Sequence, residues 1–123
     1  MAKLLAVEDE PLVRILIVDA LESAGHTVIE AADGDAALQI VMKTPDIDLV
    51  VTDVRIPRMD GFSLALAARR LRPDLKTVFI TGYSGAAVPA ELAPSTIMQK
   101  PFDPDDLVVM VAKLLAANGD HPN

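Results

Sequence analysis

Five short apolar runs, spaced through a chain of 123 residues, constrain the fold more than any other feature. They are Leu4 to Val7, Thr27 to Ala31, Leu49 to Thr52, Thr77 to Ile80 and Thr96 to Met98. Each is of strand length and rich in Val, Ile or Thr, and most are continuous rather than alternating, as befits strands covered on both faces. The stretches between them carry helical spacing. The first helix begins at Pro11, a residue suited to an opening turn, and stops at Gly25. The second follows Asp33-Gly34 and runs to Lys43 ahead of Pro45; the third follows Asp60-Gly61 and ends before Pro73. The last has Asp103 as N-cap, Pro104 at its first position and Gly119 past its end. Residues 84–94 contain Gly85, Pro89 and Pro94, which predicts only a short or mobile turn of helix. Strand and helix alternating in this way predict a three-layer α/β domain, because parallel strands need crossovers and helices supply them. Right-handed crossovers narrow it to a doubly wound sheet, whose ligands sit beyond the carboxyl ends of the strands.

The length leaves room for one domain, residues 1–123, with 118–123 as a short C-terminal tail. Eighteen Asp and Glu against eleven Lys and Arg give a net charge of −7, which argues against nucleic acid or an anionic membrane as partner. The absence of cysteine removes disulfides and thiol chemistry and fits a reducing cytoplasm, the expected location. The first apolar run ends at Val7 before Glu8-Asp9-Glu10, too short for a signal-peptide core or a spanning helix.

Reading off the strand ends gives Glu8 and Asp9 after the first, Asp53 after the third, Thr81 after the fourth and Lys100-Pro101 after the fifth. Three carboxylates, a hydroxyl and an ammonium at one end of a parallel sheet are not what stability alone selects. Like charges that close raise a carboxyl pKa unless something neutralises them. Lys100 leaves two negative charges, which one divalent cation cancels, and oxygen ligands select Mg²⁺ or Mn²⁺ over softer metals.

With these residues the sequence resembles a bacterial response-regulator receiver domain, the phosphoacceptor module of two-component signalling. The resemblance rests on the acidic pair Glu8-Asp9 followed by Pro11, on Asp53 with Pro57 and Met59-Asp60-Gly61 behind it, on Thr81, and on Lys100-Pro101-Phe102. It spans Lys3 to about Ala117 and implies a flavodoxin-like five-stranded parallel sheet of order 2-1-3-4-5, with helices on both faces. It further implies a stand-alone response regulator in which Asp53 takes a phosphoryl group from a histidine kinase or histidine phosphotransferase. Asp9, Asp53 and the backbone carbonyl of Arg55 would ligate Mg²⁺, with Glu8 acting through a bound water. Lys100 and Thr81 would hold the phosphoryl oxygens, and the Lys100-Pro101 peptide would be cis. The output would be a downstream protein target or onward phosphate relay, and the last helix would offer a homodimer contact. Asp60-Gly61 reads as turn and helix cap only.

Two rival functions stand beside it. A Mg²⁺-dependent phosphohydrolase working through a phosphoaspartate would usually carry a second Asp two residues after the nucleophile, where this chain has Arg55. A receiver-like adaptor that is never phosphorylated would not need Glu8, Asp9, Asp53, Thr81 and Lys100 together. The chain is therefore not expected to be an enzyme beyond catalysing its own phosphorylation and dephosphorylation.

Three positions depart from the family pattern or tune it. Ile97 occupies the slot where receiver domains usually place a switching Tyr or Phe. Tyr83, two residues past Thr81, is expected to replace it as the handle of a mobile Gly82 to Pro94 segment. Arg55 and Tyr83 lie two residues past Asp53 and Thr81, positions that the resemblance implies influence hydrolysis of the acyl phosphate: two bulky side chains there either shield it and slow hydrolysis or point outward and leave it open. Finally, the first helix is apolar at Leu12, Val13 and Ile15 to Val18, with only Arg14 and Asp19 as polar relief, and the last helix is nearly as apolar from Leu107 to Ala117. Such helices are either buried on more than one side or carry outward docking faces. For the second case the resemblance implies that the first helix meets the phosphodonor protein, through Val13 or Ile17.

Overall fold

A computed structural model, which describes residues 2–82, 89–92 and 95–119, shows five parallel strands and four α-helices. In chain order they are β1 (Lys3–Val7), α1 (Pro11–Ser23), β2 (Thr27–Ala31), α2 (Gly34–Lys43), β3 (Leu49–Asp53), α3 (Gly61–Leu71), β4 (Lys76–Thr81), β5 (Ser95–Gln99) and α4 (Pro104–Gly119). The strand order is β2-β1-β3-β4-β5, as the resemblance implies. Between β4 and β5 the described residues hold one 3-10 turn, Ala90–Leu92. Pro89, immediately before it, restricts the backbone there. α4 includes Gly119, one residue beyond the end read from the sequence.

Alternation along the buried strands builds two cores. Leu4 and Ala6 pack with Leu49 and Val51 beneath α1 and α4, through Ile17, Val18, Leu21, Leu107 and Val111. Leu5 and Val7 point the other way, to Ala37 and Val41 of α2 and Leu64 and Ala68 of α3. The sheet is thus covered on both faces, which is why its strands read as continuous apolar runs.

The helix ends follow local chemistry. Asp33 caps α2 by accepting the Ala36 N–H at 2.8 Å, and Asp60 caps α3 by accepting the Ser63 N–H at 2.8 Å. After α1 the His26 N–H returns to the Leu21 carbonyl and the Gly25 N–H to that of Glu22, while Gly25 takes φ 98°. That reversal requires a left-handed residue, which glycine supplies without a Cβ clash.

The apolar surplus of α1 resolves differently from expectation. Ile17 is fully buried against α4, so it cannot meet a partner, and Val13 is only half exposed. The outward stripe is Leu12, Ile15 and Leu16, with 78%, 53% and 52% of their surface accessible. Most of the large apolar side chains of α4 turn inward: Leu107 and Val111 are buried, Val108, Met110, Leu114 and Leu115 pack partly against the core, and Val109 is exposed. Ile17→Ala should therefore lower the unfolding free energy by about 2–5 kcal/mol in urea titrations, and Ile15→Ala by no more than about 0.5 kcal/mol. Equal losses would contradict this assignment of faces.

Candidate phosphoacceptor site

Strand register assembles the site. Val7 pairs with Thr52, so the next residues, Glu8 and Asp53, emerge side by side at the carboxyl edge. Asp53 lies opposite Ile80, and Thr81 opposite Gln99, which brings Thr81 and Lys100 to the same edge. The Lys100 N–H donates to the Thr81 carbonyl at 2.8 Å, and the Lys100-Pro101 peptide is cis. The edge forms one end of a cleft of about 390 Å³ lined by Asp9, Asp53, Arg55, Thr81, Gly82 and Lys100.

The Lys100 ammonium holds the carboxylates together. It donates to Asp53 Oδ2 at 2.7 Å and to Glu8 Oε1 at 3.1 Å, and stands 3.8 Å from Glu10 Oε1. The backbone adds two donors: the Arg55 N–H reaches Asp53 Oδ1 at 3.1 Å, and the Glu10 N–H reaches Glu8 Oε2 at 3.2 Å. Glu8 and Asp53 are buried, whereas Asp9 is open to solvent. One oxygen from each of Glu8, Asp9 and Asp53 lies within 4.8 Å of the others, an all-oxygen donor set of the kind a hard divalent cation takes.

Charge and burial compete here. Burial pushes Glu8 up to about 6, and the neighbouring charge of Asp53 adds to the rise, while the Glu10 N–H and Lys100 oppose it. Burial works to lower Lys100, but its hydrogen bonds to Asp53 and Glu8 outweigh it and hold its pKa above the ordinary value.

One residue with no chemistry of its own seats the site. Gly61, the first residue of α3, presses on the end of β3 and donates its N–H to the Val54 carbonyl at 2.7 Å. A Cβ there would lie 3.0 Å from Val54 Cα and closer still to the Asp53 carbonyl oxygen. Its sequence context is that of any capped helix start, so nothing local distinguishes it. Ile97 is half buried and packs against the cluster of Ala65, Phe79 and Leu92 rather than lining the cleft. Tyr83, with most of the segment assigned to it, lies outside the described residues.

Comparison with known proteins gives the site its context. The family model for the response regulator receiver domain matches residues 4–112. The chain belongs to the response regulator receiver domain family. It is 38% identical over 120 residues to the response regulator receiver protein CpdR of Brucella abortus, covering 95% of this chain and 99% of that protein. It is 41% identical over 119 residues to the sensor kinase CckA of the same organism, of which it spans only 12% of the length. Among solved structures it resembles the response regulator TrrA of Thermotoga maritima in complex with Mg²⁺-BeF, with TM-score 0.83, 30% identity, and coverage of 93% of this chain and 99% of that one. Its function is accordingly that of a receiver domain, a phosphoacceptor signalling module of two-component systems. Among the described residues no helix is long and apolar enough to cross a membrane.

The Glu8 shift makes the stability of the metal-free receiver pH-dependent. Its folded pKa of about 6 exceeds the ordinary 4.5, so the folded state holds this proton more tightly. The resulting stabilisation is complete below 4.5 and is lost as pH rises through 6, an amount of about 2 kcal/mol. Urea unfolding with chelator should show wild type losing about 2 kcal/mol relative to Glu8→Gln across that window. Parallel pH profiles would refute the assignment.

Proposed function

We propose that Asp53 is the phosphoacceptor of this receiver domain, and that its donor is a phosphohistidine on a kinase or phosphotransferase. The observation that carries the reading is the nearly buried Asp53 carboxylate, held by Lys100 at 2.7 Å beside Glu8 and Asp9 at the end of an open cleft. In the transfer, an Asp53 carboxylate oxygen forms a bond to phosphorus as the phosphorus–nitrogen bond to the donor imidazole breaks. The electron pair returns to that nitrogen, and no external acid or oxidant is needed. Lys100 turns from the carboxylates to a phosphoryl oxygen and Thr81 donates its hydroxyl to another, both charge-assisted contacts.

Glu8, Asp9, Asp53 and the Arg55 carbonyl would hold Mg²⁺, or Mn²⁺ in its place. That ion, when bound, offsets negative charge on the phosphoryl oxygens so that an anion can approach an anion. The receiver then regulates a protein target or passes the phosphate onward. Incubation with acetyl phosphate and Mg²⁺ should give one phosphoryl adduct by intact mass in wild type and none in Asp53→Asn. An adduct that persists in the variant would place the acceptor elsewhere.

The phosphodonor protein docks on the outward stripe of α1. Leu12, Ile15 and Leu16 are exposed, and Leu16 continues into an apolar groove of about 320 Å³ with Val13, Pro101 and Phe102, adjoining Lys100. Burial of an apolar patch beside the reacting group aligns donor and acceptor. Leu16→Asp should slow transfer from a phosphohistidine protein by about tenfold or more while leaving acetyl phosphate labelling unchanged. Loss of both would mean that the substitution disturbs the site itself.

A further inference from the structure

On α1, the arrangement of polar and apolar side chains is inverted around one residue. Leu12, Ile15 and Leu16 face solvent, whereas the side chain of Arg14, the one charged residue between Pro11 and Val18, is turned in and only 21% exposed. A guanidinium is placed under an apolar helix only where it finds partners to replace its water. Arg14 has two. Its Nη1 donates to the backbone carbonyl of Glu8 at 2.7 Å, and its Nε donates to Glu30 Oε1 on β2 at 3.1 Å.

The first of these contacts falls on the residue where the chain leaves the sheet for the acidic turn. The Glu8 N–H still belongs to the sheet edge, donating to the Ala31 carbonyl at 3.1 Å. The Glu8 carbonyl, one bond from Asp9, is taken by Arg14 from the α1 side. Both backbone groups of Glu8 are therefore pinned, one by β2 and the other by α1, and the peptide joining Glu8 to Asp9 has its orientation set. The carboxylate of Glu8 is left facing Lys100 and that of Asp9 facing the cleft. Glu30 in turn fixes the angle of the guanidinium, because a fork of donors held at one side presents the other in a defined direction.

We infer that Arg14, anchored by Glu30, is a positioning residue for the metal-binding carboxylates Glu8 and Asp9, acting through the Glu8 carbonyl. The inference rests on the reading of this cleft as a Mg²⁺ site. It makes a prediction opposite in sign to plain electrostatics. Removing a positive charge near a cation site should tighten cation binding, whereas removing the group that orients the ligands should weaken it, and partners of ligands commonly matter by tenfold or more.

The test is calorimetric titration of the metal-free protein with Mg²⁺, well below the melting temperature, for wild type, Arg14→Met, Arg14→Lys and Glu30→Gln, with Tm recorded for each. The expected result is a Kd raised about tenfold in Arg14→Met and by less in Arg14→Lys and Glu30→Gln. An unchanged or lowered Kd in a folded Arg14→Met protein would overturn the inference, whatever its Tm, since a merely structural arginine would change Tm alone. If Arg14→Met does not fold, Arg14→Lys decides, because it keeps the charge and removes only the fork of donors: a raised Kd supports positioning and an unchanged one overturns it. A silent titration of wild type would overturn the Mg²⁺ reading itself, which separates that failure from the failure of Arg14 as its organiser.

Discussion

The ammonium of Lys100 is the interaction on which the rest of this site depends. A parallel sheet with β1 and β3 as neighbours must deliver the carboxyl ends of both strands to one edge, and here those ends carry Glu8 and Asp53, both buried. Two buried carboxylates side by side would repel one another and favour protonation. Lys100 bridges them at 3.1 and 2.7 Å, and its own backbone is tied to Thr81, so the bridge comes from β5, on the far side of β4. The compensation does not offset burial, which, with the neighbouring charge of Asp53 as a smaller contribution, pushes Glu8 up to about 6. The edge is held in a compact arrangement that still carries excess negative charge, a state suited to accept a cation and then a phosphoryl group.

Around that charged centre the neutral scaffold does the positioning. Gly61 brings the start of α3 against the backbone of Asp53 and Val54, which only a residue without a side chain can do. Gly34 does the same for α2 against Met59, where a Cβ would meet Met59 Cβ at 2.6 Å, and its N–H reaches the Pro57 carbonyl at 3.2 Å. The loop after β3, which carries Arg55, is thus gripped between two helix starts. α1 works in two directions at once. Arg14 reaches inward to the Glu8 backbone while Leu12, Ile15 and Leu16 face outward.

How much of this was legible in the sequence differs by residue for physical reasons. The strands and helices could be read because continuous apolar runs are punctuated by Pro11, Gly25, Asp33, Asp60 and Pro104, and each of these acts through local backbone chemistry. Glu8, Asp9, Asp53, Thr81 and Lys100 could be read as a group because each ends or follows a strand, and parallel strands carry their ends to one side. The phase of α1 could not. With apolar side chains at nearly every position from Leu12 to Val18, rotating the helix leaves the local pattern almost unchanged, and Ile17 was chosen for the core by packing against α4. Gly61 and Arg14 were equally hidden: a glycine after a capping Asp, or an arginine in a helix, has an ordinary local explanation everywhere.

By itself, then, the sequence determined the alternation of elements, their parallel arrangement and the identity of the polar groups at the strand ends, because periodicity and chain direction are local properties. Only the tertiary structure decided which oxygen faces Lys100, which face of α1 meets solvent, and which backbone groups hold the acidic turn. Those depend on distances between residues such as Glu8 and Lys100, separated by 92 positions in the chain. Such distances are set by strand register and helix packing, which no local pattern encodes.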